Sequence, residues 1–177
     1  MRSSSLSSCF VLVWVKMHWS QSLCIGLGFL EGVYTAKEAR DQVQMLLIHL
    51  KDSGLLSDSY SNDRFTMQNL VRNAALLIAS KNNVFVLAKR KLDEWPDDDK
   101  LKRYTAIFLH HCDVNTEFAK SLKCPKLKVF HFHNNHQHFK IPKDFFRGMK
   151  ELRVLVLLGI DLSEMSSSMK YLFGALH

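Results

Sequence analysis

The sequence predicts an α/β (α+β) chain in two parts, a mostly helical module followed by a short solenoid of stacked strands. Two observations carry this. Apolar residues recur at helical spacing through the first half, and a spaced apolar pattern returns three times in the second. An acidic stretch containing a proline, Asp93 to Asp99, separates them and sets the expected boundary. The 177 residues suit one ordinary domain or two small ones, and 47% apolar content with 23% charge is that of a globular protein.

Residues 1–20 stand apart as a non-conforming N-terminal segment. Arg2 and a serine-rich stretch precede the apolar run Cys9–Val15, which superficially resembles a secretory leader. Lys16 and His18 follow closely, no cleavage site of the Ala-x-Ala kind appears, and a membrane span needs about 20 apolar residues. The expectation is therefore neither leader nor anchor.

Residues 21–95 read as the helical module. A first apolar helix is expected from Trp19 to Phe29. Thr35-Ala-Lys-Glu38 is a capping box, in which the threonine accepts an amide hydrogen bond and Glu38 reaches back to the cap residue. It opens a second helix whose stripe is Ala39, Val43, Leu46, Leu47 and Leu50, with Gly54 as its stop. Ser57–Asn62 is a polar turn cluster. A third helix, Met67 to about Ser80, carries the stripe Met67, Leu70, Val71, Ala74 and Ile78. Val84 to Leu87 is a short strand candidate. Three helices with a small hairpin element is the composition of a winged-helix module.

Residues 100–170 repeat themselves. Tyr104-x-x-Ile107-x-Leu109-x-x-Cys112-x-Val114 aligns with Leu127-x-x-Phe130-x-Phe132-x-x-Asn135-x-Gln137, and again with Leu152-x-x-Leu155-x-Leu157-x-x-Ile160-x-Leu162. The intervals, 23 and 25 residues, fall within the range of leucine-rich repeats, so about three repeats are expected. Each repeat lays a short strand on a concave face and hides its apolar positions only by stacking on the next. Phe108, His110, His131, His133, Val156 and Leu158 are expected to project from that face as a protein-binding surface. The pattern decays after Ser163.

Charge follows the same division. Residues 100–153 hold 12 Lys and Arg against 4 Asp and Glu, whereas residues 1–99 hold 11 of each. A basic surface attracts an acidic protein face or nucleic acid. Cys9, Cys24, Cys112 and Cys124 show no CxxC spacing, which points to reduced thiols and a cytoplasmic setting.

No catalytic apparatus is expected. Gly26 and Gly28 lack the rest of any phosphate-loop fingerprint, and no nucleophile stands in a recognisable signature. In the repeat register His110, His131 and His133 share one face of neighbouring strands, which invites a metal reading. Without cysteine or carboxylate ligands at suitable spacing, no metal is expected. A winged-helix DNA-binding module is the alternative. The third helix offers Gln68, Asn69, Arg72 and Asn73 to base edges but little positive charge, so nucleic acid is not the expected partner.

Phe65-Thr-Met-Gln-Asn-Leu-Val-Arg-Asn-Ala-Ala75, followed by Ile78-Ala-Ser80, Val84-Phe-Val86, Glu94-Trp-Pro96 and Thr105-Ala-Ile107, resembles the coiled-coil class of plant disease resistance proteins. Those receptors join a nucleotide-binding NB-ARC region to leucine-rich repeats. Cys124-Pro-Lys-Leu127, Ile141-Pro142 and Phe145-Phe-Arg-Gly-Met-Lys-Glu-Leu-Arg-Val-Leu155 extend the likeness, which covers roughly residues 21–163. The resemblance implies a truncated fragment of an ADP/ATP-controlled defence switch, holding the winged-helix lid and the first repeats. It implies protein partners, either through the repeats or in a separate NB-ARC domain. Met67 matches the methionine of the family's methionine-histidine-aspartate motif, while Gln68 and Asn69 stand at its nucleotide-sensing histidine and aspartate. Glutamine still donates an amide hydrogen bond to a phosphate but never becomes a cation. The phosphate loop would precede residue 1, so no cofactor is expected on this segment itself. A degenerate remnant without function is the other reading.

Overall fold

The computed structural model of the chain describes residues 35–58, 65–114, 121–134, 139–142 and 144–161. It divides into two compact units, Met1–Asn82 and Asn83–His177. The expected first helix, Trp19 to Phe29, lies outside the described residues, as do Cys9 and Cys24.

The first unit opens with α1, Ala36–Asp52. The capping box forms as expected. The Glu38 amide donates to Thr35 Oγ1 at 3.2 Å, and the Thr35 amide donates to Glu38 Oε2 at 3.0 Å. Ala39, Val43 and Leu50 are buried along one face. At the other end the amide of Gly54 donates to the Lys51 carbonyl at 2.8 Å and that of Leu55 to the Leu50 carbonyl at 2.9 Å. This crossed pair needs a left-handed residue, and Gly54 has φ +68°. Replacing Thr35 with alanine removes one of the two reciprocal caps and is expected to lower stability by about 1 kcal/mol in denaturant unfolding. An unchanged midpoint would show that the cap contributes nothing.

Two strands, β1 (Ser57–Asp58) and β2 (Phe65–Thr66), pair antiparallel, with Ser57 opposite Thr66. Leu50 and Leu56 form a small core there, packed by Leu46, Leu47, Leu55, Phe65 and Met67. Helix α2, Asn69–Lys81, follows. Its inward stripe differs from the expected one. Ala75 and Ala79 are buried, whereas Leu70 is 80% exposed and Ala74 is exposed as well. Met67, Val71 and Ile78 of the expected stripe are half-buried, and hydrophobicity counting favours the leucine over the two small alanines that take the interior.

In the second unit β3 (Val84–Ala88), β5 (Ala106–Val114), β6 (Val129–Asn134) and β8 (Val154–Leu158) form one parallel sheet in that order, with β4 (Lys91–Leu92) also on β5. Val84 pairs with Ala106, Ala106 with Val129, and Val129 with Val154, offsets of 22, 23 and 25 residues. The strand Val84 to Leu87, expected in a hairpin with the preceding helices, is thus a fourth strand of this sheet. Leu92 opposite Val114 continues the same 22-residue offset. The sequence boundary at Asp93 to Asp99 falls inside the second unit. There Asp97 caps the short helix α3, Asp98–Leu101, by accepting the Lys100 amide at 2.9 Å.

One sheet face is the core. Phe85, Ile107, Phe130 and Leu155 share a row, as do Leu87, Leu109, Phe132 and Leu157. A 3₁₀ turn, Phe145–Gly148, covers them, and Phe130 meets Phe145 edge-on at 5.5 Å and Phe146 at 6.2 Å. Two further strands, β7 (Phe139–Lys140) and β9 (Ile160–Asp161), pair in parallel. The result is a mixed helix-and-strand protein with a parallel sheet, the expected α/β class. No helix among the described residues is long and apolar enough to cross a membrane.

Candidate functional site

The second face of the parallel sheet carries the residues expected to bind. Val86, Phe108, His131 and Val156 form one row, and Ala88, His110, His133 and Leu158 the next. The rows are those the repeat register predicts, since strand alternation fixes which side chains share a face. Their exposure differs from the expectation. Phe108, His131 and Val156 are 3%, 1% and 5% exposed, so that row is interior and offers nothing to a partner. His110, His133 and Leu158 are half-buried and reach solvent.

The end of β5 departs from regular strand geometry. His111 has φ +51° in the left-handed region, and the ladder shifts there, so that Cys112 rather than His111 pairs with Asn134. This is a β-bulge, one extra residue in one strand. The sequence alignment placed Cys112 opposite Asn135; the bulge moves the partner back by one. Lys89 (φ +51°) and Gly159 (φ +69°) stand at the corresponding positions after β3 and β8. A left-handed residue therefore stands at this level of β3, β5 and β8, inside β5 and directly after the other two. The glycine at position 159 is the one sequence signal of it.

The bulge has a chemical consequence. In an unbroken strand His110 and His111 would point to opposite faces. Instead the His111 ring lies 4.5 Å from that of His110 and 3.9 Å from that of His133, with His110 and His133 at 5.4 Å, centroid to centroid. One ring nitrogen from each of the three lies within 4.8 Å of the others. The expected trio of His110, His131 and His133 is thus replaced by His110, His111 and His133. His131 remains beneath them, its ring 6.0 Å from that of His110 and from that of Phe108.

Electrostatics follow from burial. The Nδ1 atoms of His110 and His131 are buried without a hydrogen-bond partner. Loss of hydration pulls His110 down to about 4, helped by the neighbouring His111, His131, His133 and Lys89. Burial likewise pulls His131 to about 4, with His133 adding to it, although the backbone at His131 and Leu109 opposes. Both imidazoles are neutral at pH 7. Cys112 donates its thiol to the Leu87 carbonyl at 3.2 Å and is held above the usual thiol range by burial. Cys124 is fully buried and pushed up to about 12 by the same cause. Both are free thiols, and such protonated, enclosed thiols are poor nucleophiles.

The residues matched to the nucleotide-sensing motif lie in the first unit. Met67 packs against the Leu50 and Leu56 core. Gln68 precedes α2 with its side chain exposed and making no cap hydrogen bond, and Asn69 begins the helix, also exposed. Both amides face solvent.

Among known proteins, the chain is 25% identical over 165 residues, 91% of its length, to the probable disease resistance protein At4g27220 of Arabidopsis thaliana. It is 31% identical over 138 residues, 73% of its length, to the probable disease resistance protein At1g12290 of the same plant. It is 30% identical over 147 residues, 76% of its length, to the Arabidopsis disease resistance protein RFL1. The chain spans about a sixth of the length of these relatives, 17% of the first and 16% of the other two. No family model matches the chain, and no solved structure is significantly similar to it.

Proposed function

This chain is related to the plant disease resistance proteins, and from that premise we propose that it is a non-catalytic segment of such a receptor. It comprises the end of the nucleotide-binding region, a winged-helix lid, and the first leucine-rich repeats. The single observation that carries the reading is the parallel ladder with near-constant offsets of 22, 23 and 25 residues. A ladder of that kind supports stacked repeats, each burying the apolar face of its neighbour. The same offset upstream at β3 supports a first repeat that begins at Asn83, directly after α2.

In this reading the segment works by contact. It carries no phosphate-loop fingerprint, and Gln68 and Asn69, uncharged where the family senses phosphate, offer at most amide hydrogen bonds to a nucleotide. Its partner is a cytoplasmic NB-ARC domain, approached by the half-buried, solvent-reaching row of His110, His133 and Leu158. The excess of basic residues between positions 100 and 153 favours an acidic partner surface. The buried row, Phe108, His131 and Val156, supports that surface from below.

The reading is tested by co-purifying the full chain with the separately produced NB-ARC domain of one of the Arabidopsis relatives. Association is expected, weakened at least about tenfold by Leu158→Glu, since a charge facing an apolar contact loses hydration without a partner. Leu70→Glu, at an exposed position on α2, should leave it unchanged. Absence of association, or equal effects of the two substitutions, would overturn the reading.

A further inference from the structure

We propose that His110, His111 and His133 form a binding site for a borderline divalent cation of the zinc type. The sequence argues against a metal because no cysteine or carboxylate stands at ligand spacing, and its histidine trio is His110, His131 and His133. The bulge at His111 changes which imidazoles meet. It turns that imidazole onto the side of its two neighbours, and three ring nitrogens then lie within 4.8 Å of one another.

The geometry is near what zinc requires. Zn–N bonds of 2.0–2.1 Å in a tetrahedron set ligand nitrogens about 3.3 Å apart, so modest side-chain rotation closes the widest pair. Three imidazoles also suit the ion chemically, whereas calcium or magnesium would demand oxygen donors. All three histidines are half-buried, so water is partly excluded from the cluster. His110 Nδ1 is buried and makes no hydrogen bond, a polar atom that a cation would satisfy. His131 lies under His110 and packs the cluster from within.

Two features set the strength. Among the described residues no carboxylate belongs to the cluster, and the Lys89 cation acts on His110, so the positive charge of the ion is not offset there. Affinity is therefore that of a neutral three-histidine set, below that of a structural zinc site with thiolate ligands. Three histidine ligands leave zinc a further coordination position for water or another donor. This inference stands apart from the proposed role in protein association, because the ion binds the isolated chain.

The test uses the full chain, stripped of metal with a chelator and titrated with Zn²⁺ in a calorimeter. One ion per chain is expected at micromolar metal. His111→Gly and His133→Gln should each weaken it at least about tenfold. The glycine variant separates ligation from folding. Glycine adopts the left-handed backbone of position 111 without strain, so its thermal midpoint without metal should stay close to the parent's. His49→Gln, at an exposed residue of α1, should bind as the parent does. No saturable heat, or undiminished binding in both His111→Gly and His133→Gln, would overturn the assignment.

Discussion

Replacing Phe130 with alanine is expected to destabilise the second unit by about 3–5 kcal/mol, a large share of the roughly 5–15 kcal/mol that holds a domain folded. Phe130 is fully buried near the start of β6. Its ring meets Phe145 at 5.5 Å and Phe146 at 6.2 Å, both edge-on, and Phe132 at 6.4 Å. Phe145 and Phe146 cross at 5.1 Å, and Trp95 reaches Phe145 at 6.4 Å. The cluster joins the strand to the 3₁₀ turn, so truncation opens a cavity whose walls belong to both and collapse poorly. Denaturant unfolding measures the loss, with Leu77→Ala, at a 66% exposed position, as a control expected within about 0.5 kcal/mol of the parent. A loss below about 1 kcal/mol would mean that the aromatic cluster is not packed as described.

Gly148→Ala is expected to cost about 3 kcal/mol or more, for the opposite reason of overfilling. A Cβ on Gly148 would stand 2.0 Å from the Leu122 carbonyl oxygen and 3.1 Å from Lys123 Cα. These are backbone atoms, so no rotamer change relieves the contact. The chain has to move as a whole, and the Leu122 amide, which donates to the Phe145 carbonyl at 3.4 Å, moves with it. The same measurement applies. A variant as stable as the parent would show that the turn and the segment at Leu122 can separate freely. Because the turn also carries Phe145 and Phe146, combining Gly148→Ala with Phe130→Ala should cost less than the sum of the two.

Much of this structure is legible from residues alone. Thr35 and Glu38 announce the start of α1 and Gly54 its end, because caps are local hydrogen-bond chemistry satisfied within a few residues. The rows Phe108–His131–Val156 and His110–His133–Leu158 follow from the repeat spacing and strand alternation. Other features were not legible. Val84 to Leu87 has too short a pattern to show that it pairs with β5 rather than with the helices before it. The inward face of α2 is another, since counting apolar residues favours Leu70 while the small Ala75 and Ala79 are the residues buried. The exposure of the binding row was misjudged too, since register says which side chains align and not how deeply they lie.

The histidine cluster shows the division most clearly. The sequence by itself determined the repeat, the strand register and the presence of histidines at adjacent strand ends, because these depend on spacing and alternation. Only the tertiary structure decided that His111 joins His110 and His133. That depends on one backbone torsion, φ +51°, and a one-residue shift against the neighbouring strand. A histidine carries no local preference strong enough to announce a left-handed bulge. The left-handed backbone and the register shift lie within β5, and the side chain is carried with them.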